Sequence, residues 1–395
     1  MKKISIFLIV PFLLFCYSTI SAETRGVTKD TIKMGHITAD TGPIAKDSQS
    51  ITEGVRNYIR HINEEGGINN RKVELISEDS GYSIPRAMSA FKKLLYRDMV
   101  FTFFGPTSTG EATALLSQIA KEKVVTVPIT AAETMSKPLK RYVFGASLSY
   151  EAAIRILFDY VMEDLKAKNP KIAIVYPDVE FGKVGRTEAR IQAKIYGVEL
   201  HEEILNMGSL EATSQVLSMK KYNPDFVILH HVIAPACIFL REARKFGLKT
   251  NFLTTITDTN LDTVTMAKEA ARGAVGVNCF RSWYEDVPAV KKMREITLRF
   301  HPGTDKPYRS EYYTAGWIIA TIFSEGMKRA GRDLTNETLL QAMETIKDFG
   351  GGGVTGPISY SPTDHRGHIY GMLYKADVEK GIVVAFGNWR KPLHP

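Results

Sequence analysis

Apolar and polar positions follow two periods that alternate along the chain. Period two over residues 31–37 predicts a strand, and Ile51, Val55, Ile59 and Ile62 at helical spacing predict a helix over 51–62, stopped by Gly66-Gly67. A strand at 72–77, a helix at 85–95, a strand at 100–104, a helix at 111–121 and a strand at 124–127 follow, the last closed by Pro128. After 142–144 the alternation begins afresh: helix 152–165, strand 171–176, helix 185–196, strand 198–204, helix 213–222, strand 225–229, helix 237–246, strand 251–254. Unbroken strand–helix alternation predicts parallel sheets with helices on both faces. Its restart predicts two such units with a crevice between them. Ligands in open sheets of this kind sit beyond the carboxyl ends of the strands. The loops after Ile37, Phe104, Val127, Val175 and Leu229 are therefore the candidate site.

The stretch 100–114, VFTFFGPTSTGEATA, carries the most chemistry. An apolar strand runs into Gly105-Pro106, then the hydroxyl run Thr107-Ser108-Thr109, and then a helix with Ala112, Leu115, Leu116 and Ile119 at helical spacing. A strand feeding a helix through small residues gathers free backbone N–H groups at the positive end of the helix dipole, which suits an anion. The turn is thus a candidate grip for a ligand carboxylate. The plainer alternative is that Ser108 or Thr109 merely caps its own helix.

Length and composition change the picture only in outline. The 395 residues, 44% hydrophobic and 24% charged, suit a soluble chain of two domains. Lys2 and Lys3, a short apolar run at 4–15 and the small residues Ser18, Thr19, Ser21 and Ala22 describe a secretory leader over 1–22. Cys16 raises a lipid anchor as an alternative, but bulky Phe15 precedes it where such sites want a small residue. The remaining Cys237 and Cys279 make no disulfide framework and are expected as buried thiols. The formal charge of +8 is spread without a basic block or an aromatic–basic pattern, so no nucleic-acid partner is expected.

The order of motifs resembles the periplasmic solute-binding proteins of branched-chain amino-acid ABC transporters. The residues that carry the resemblance include Thr41-Gly42-Pro43, Glu53-Gly54, the run 62–69 (INEEGGIN), Phe104-Gly105-Pro106, Glu180-Phe181-Gly182, Asn223-Pro224-Asp225 and the run 240–249 (LREARKFGLK). The match spans about 32–377. It implies the type I fold: two doubly wound α/β lobes joined by three crossings, near 144–147, 278–283 and 354–360. The lobes would comprise 23–145 with 282–356, and 146–281 with 357–395. It also implies a monomer that closes on a ligand and hands it to membrane permease subunits, without a cofactor.

The resemblance places a ligand carboxylate at Thr107, Ser108 and Thr109 and at Ile129, Thr130 and Ala131. Family members often carry a threonine three residues after the proline; here Ala131 stands there and Thr130 one earlier. Phe181 matches an aromatic wall, Tyr308 a second aromatic contact, and Tyr82 and Trp283 could extend it. His231 and Val232 stand where a small residue and a tyrosine are expected. The glutamate expected to hold an ammonium aligns near Ile256, with Asp258 the possible replacement. Should Asp258 not reach the cleft, an α-amine would be desolvated without a counter-charge, which favours a carboxylic acid without one over an amino acid.

Other readings are weaker. His230 and His231, with His36, suggest a metal, but adjacent strand residues point to opposite faces and no further ligand lies nearby. A two-lobed enzyme would need a Gly-x-Gly-x-x-Gly turn, a P-loop or a Gly-x-Ser-x-Gly elbow, and the sequence has none. A sensory lobe reporting to a membrane partner would use the same cleft.

Overall fold

The computed structural model describes residues 24–301 and 309–394. The leader expected at 1–22, with Cys16, and the candidate contact Tyr308 lie outside the described residues. In chain order the first unit runs β1 (Thr31–Thr38), α1 (Ala45–Glu64), β2 (Lys72–Asp79), α2 (Ile84–Lys92), β3 (Thr102–Phe104), α3 (Thr109–Glu122) and β4 (Thr126–Val127). The second runs α4 (Tyr150–Asp159), β5 (Ile172–Tyr176), α5 (Glu180–Tyr196), β6 (Leu200–Ile204), α6 (Thr213–Tyr222), β7 (Phe226–Leu229), α7 (Ile233–Lys245), β8 (Asn251–Thr254), α8 (Leu261–Ala267) and β9 (Val275–Asn278). The chain then forms α9 (Pro288–Phe300), α10 (Glu311–Ala330) and α11 (Asn336–Glu344). It ends with β10 (Ile358–Ser361), β11 (Asp364–His368), β12 (Gly371–Asp377) and β13 (Ile382–Arg390).

Two sheets organise the molecule. The first is wholly parallel, in the order β2-β1-β3-β4. The second has the order β13-β12-β9-β8-β7-β5-β6; β5 to β9 are parallel, and β12 and β13 add antiparallel at one edge. Every residue of β5 and β7 is buried, which is why both read as continuous apolar runs. Helices α9 and α10 pack back against α1. Among the described residues no helix is long and apolar enough to cross a membrane.

The passages between the units bond to one another. The Gly145 N–H donates to the His365 carbonyl at 2.8 Å, and the Tyr360 hydroxyl donates to the Gly145 carbonyl at 2.7 Å. Thr355 pairs with Phe280 and donates to the Cys279 carbonyl at 2.6 Å. Cys279 lies here as a free buried thiol, its sulfur accepting from the Leu148 N–H at 3.3 Å, and Cys237 is free and buried in α7.

The starts of α1 and α5 differ most from the periodicity, each for a physical reason. Helix α1 begins at Ala45, six residues before Ile51, because polar Asp47 and Ser48 sit on its buried face and break the apolar stripe. Ser48 Oγ accepts the Ala39 N–H at 2.9 Å and donates to Asp40 at 3.1 Å, which fixes the entry into the helix. Helix α5 begins at Glu180, and the glycines near its start serve close packing. A Cβ on Gly182 would sit 1.9 Å from the Pro177 carbonyl, and one on Gly185 would sit 2.2 Å from the His230 ring.

Candidate functional site

The loops at the carboxyl ends of both sheets enclose a cavity. After β1, Ile44, Asp47 and Ile51 face it from one side of α1. After β2 comes Tyr82, held at φ +65° with its N–H on Ser80 Oγ at 3.3 Å. Thr107 and Thr109 follow β3, and Pro128, Ile129 and Ala131 follow β4. The second unit contributes Tyr150, Phe181, Val232, Ile256, Thr257 and Asn260, and the passages add Ala146, Ser147, Asn278 and Phe280. Glu311, Tyr312, Ala315 and Ile319 close the wall from one face of α10.

The β3–α3 turn is built on Gly105. Its φ is +81° and a Cβ there would meet the Ile37 carbonyl at 2.4 Å, so only glycine lets the strand turn this tightly. Ser108 is the N-cap of α3, accepting the Glu111 N–H at 3.4 Å. Thr107 Oγ1 is buried without a hydrogen-bond partner among the described residues, and it lines the cavity. Thr109 Oγ1 pairs with Thr130 Oγ1 at 2.6 Å, and Thr130 in turn reaches the Tyr150 hydroxyl at 3.4 Å. The turn thus presents one free hydroxyl and one that already belongs to a buried chain.

Contacts between the two units close over this space. Lys46 of α1 pairs with Asp262 of α8. Glu311 Oε2 accepts the Leu261 N–H at 2.8 Å, and the Tyr312 hydroxyl donates to the Thr257 carbonyl at 3.1 Å. The space open to the centre of a water-sized sphere is about 80 Å³, several times the roughly 10–15 Å³ one water occupies by that measure.

Of the residues expected from the sequence, Tyr82, Thr107, Thr109, Ile129, Ala131, Phe181 and Val232 come together around the cavity. Ser108 and Thr130 do not line it; Ser108 caps its helix and Thr130 stands behind Thr109. Trp283 is turned away against Tyr313, ring centres 5.6 Å apart. Ile256, where an acid was expected, lines the wall.

His231 and Asp258 require correction. His231 points into the second unit, donating through Nε2 to the Leu205 carbonyl at 2.6 Å while Nδ1 accepts the Val232 N–H at 2.9 Å. Asp258 Oδ2 accepts the His231 N–H at 2.8 Å beneath the wall, and burial raises its pKa well above the usual carboxylate range. Neither side chain lines the cavity. His230 is also internal, bonded to the Phe181 carbonyl and to Thr255 Oγ1, both at 3.1 Å. Burial pushes His230 down to about 3 and His231 down to about 4, so both are neutral. No group of His, Cys, Asp or Glu among the described residues has the form of a metal site.

Sequence reasoning missed Asp47, Tyr150, Asn260, Phe280, Glu311 and Tyr312. Asp47 carried a readable signal: a lone acid three residues after Ile44 and four before Ile51, inside an apolar stripe. Burial foremost, then repulsion by Asp262, with Lys46 opposing, pushes Asp47 up to about 7. Burial likewise raises Glu311 to about 7.

Two parallel-sheet units that share an enclosed, largely apolar cavity, joined by three bonded passages, define a ligand-binding receptor. Residues 31–381 match the periplasmic binding protein family, and the chain belongs to it. It is 22% identical over 356 residues to the leucine-specific-binding protein of Salmonella typhimurium, covering 89% of this chain and 92% of that one. Its fold matches a branched-chain amino-acid ABC transporter protein of Thermus thermophilus with bound valine: TM-score 0.85, 22% identity, 93% of this chain and 98% of that one. It also matches a fatty acid ABC transporter substrate-binding protein of Thermomonospora curvata: TM-score 0.83, 22% identity, 94% and 95% covered. As a member of that family the chain is a non-enzymatic binding protein.

Proposed function

We propose that the protein captures a small carboxylate-bearing molecule with an apolar body, amino acid or simple acid, and delivers it to permease subunits. The observation that carries this reading is the cavity itself: the unpartnered Thr107 hydroxyl and Thr109 stand at the start of α3, opposite Ile51, Phe181, Val232 and Ile319. A carboxylate there gains the helix N-terminus and a hydroxyl, and the remaining wall suits an aliphatic or aromatic body. The lobes we assign are 23–145 with 282–356, and 146–281 with 357–395. The leader at 1–22 would carry the chain across the cytoplasmic membrane.

A thermal-shift screen of amino acids, aliphatic and aromatic acids and short amides, followed by calorimetry, tests the reading. Ligand that binds only the folded state raises the melting temperature by mass action. A saturating hit among the small carboxylates is expected. Shifts confined to long-chain acids would contradict the proposal.

A further inference from the structure

A second cavity lies behind the wall of the first. Ala131, Ala146 and Ser147 line both spaces, so small side chains form the partition. The space open to the centre of a water-sized sphere is about 200 Å³ there, against about 80 Å³ in the first cavity. It is bounded by the loop after β4, by the start of α4, by the passages between the units and by the C-terminal tail.

Three cations and one acid line this space: Arg155, Arg366 and Lys391 against Glu133. Arg155 already holds Glu133 through Nη1 at 2.8 Å, and Glu188 through Nε at 2.9 Å, so the charge of Glu133 is met. Arg366 gives Nε and Nη2 to Asp364 and keeps Nη1 out of that pair. Lys391 holds its ammonium 4.8 Å from the centre of the Tyr370 ring, a contact that brings no negative charge. Arg155 and Arg366 stand near enough to repel each other. The first turn of α4 borders the space with Ser149 and Ala152, so the positive end of its dipole adds to the cations. Glu151 of that turn is not part of the lining. Its carboxylate accepts the Glu133 N–H at 3.1 Å, and burial foremost raises it to about 7.

Cations gathered in a recess reinforce one another's field. Guanidinium and ammonium groups bind oxyanions by charge-assisted hydrogen bonds, which a guanidinium can make in parallel pairs. We propose that this cavity is a second binding site, for a small polyvalent oxyanion: phosphate, or a short di- or tricarboxylate. Arg366 Nη1 and the Lys391 ammonium are its donors, and the nearly buried Arg155 adds charge from the inner side. The site is separate from the first cavity, and the inference does not rest on the carboxylate reading given there.

Calorimetry on the full mature chain tests it, at neutral pH and with ionic strength held constant by sodium chloride. The probes are inorganic phosphate, sulfate, succinate and citrate. At least one should bind saturably. The Arg366→Gln, Lys391→Gln double variant should weaken that binding at least tenfold, whereas Thr107→Val, in the first cavity, should change it by less than twofold. Arg366 is half-buried and Lys391 exposed, so the double variant should fold, and the wild-type titration depends on no variant. Binding of the inorganic anions alone, or of the carboxylates alone, supports the site and tells which oxyanion it takes. No saturable heat from any of the four overturns the proposal. Binding that survives unchanged in the double variant overturns it too, as does binding that Thr107→Val abolishes.

Discussion

Helices α1 and α10 touch through their backbones, and a single methyl group should force them apart. A Cβ on Gly54 would lie 2.2 Å from the Tyr313 carbonyl oxygen and 2.9 Å from the Trp317 nitrogen; one on Gly316 would lie 2.0 Å from the Ile51 carbonyl oxygen. Carbon meets a carbonyl oxygen no closer than about 3.3 Å, so alanine at Gly54 demands a separation of roughly 1 Å. Neither obstacle is a side chain that could rotate away. Two effects then compete. Alanine gains about 1 kcal/mol over glycine in a helix interior, whereas overpacking costs about 1–3 kcal/mol and sits at the upper end when only backbone can yield. The net expectation for Gly54→Ala is a loss of about 2 kcal/mol in urea unfolding, with the slope unchanged. Asp47 lies two turns before Gly54 on α1, so any ligand contact it makes should weaken in the same variant. A variant as stable as the wild type, or more stable by about 1 kcal/mol, would mean that propensity wins and that the helices are not in backbone contact.

Thr109→Val removes the 2.6 Å bond to Thr130 and should cost about 1 kcal/mol of stability. It should also weaken a carboxylate ligand by about 1.5–3 kcal/mol in calorimetry; unchanged affinity would release the turn from the head group. His36 is fully buried with both ring nitrogens unpartnered among the described residues, and burial, then Arg56, pushes it down to about 3. The unfolded chain binds that proton from about pH 6.5 downward while the native chain refuses it. His36→Leu should therefore gain on the wild type by about 1.4 kcal/mol per pH unit as pH falls from 6 to 4; a constant gap would mean the ring is not held neutral. Asp47 has the opposite sign: its native value near 7 lies above the unfolded one, so its cost grows as pH rises from about 4 to 7. Asp47→Asn should gain on the wild type over that range in paired denaturation curves, and a falling gap would reverse the assigned shift.

Several elements were legible in the sequence. The α6 and β8 bounds coincide with their expected runs, and β5 and β7, buried along their whole length, differ from theirs by one residue. The site was less legible, for a physical reason. Asp47 breaks the apolar stripe of α1, and Glu311 stands in the first turn of α10, so two of the acids facing the cavity lie where the apolar pattern gives no signal. His231 and Asp258 misled in the converse way. They stand next to the cleft in sequence, yet their hydrogen bonds to each other and to Leu205 turn them inward. Resemblance supplied the order of the loops, and only the packed structure shows which side of each loop faces the ligand.

The central claim is that a small ligand closes the two lobes over the cavity between them. Small-angle scattering of the protein alone and saturated with the compound giving the largest thermal shift tests this directly. The lobes meet through Lys46–Asp262, Glu311–Leu261 and Tyr312–Thr257, and these contacts should form as ligand enters. The account predicts a smaller radius of gyration in the bound state, reached at the concentration where calorimetry shows saturation. Superimposable curves at saturation would contradict it.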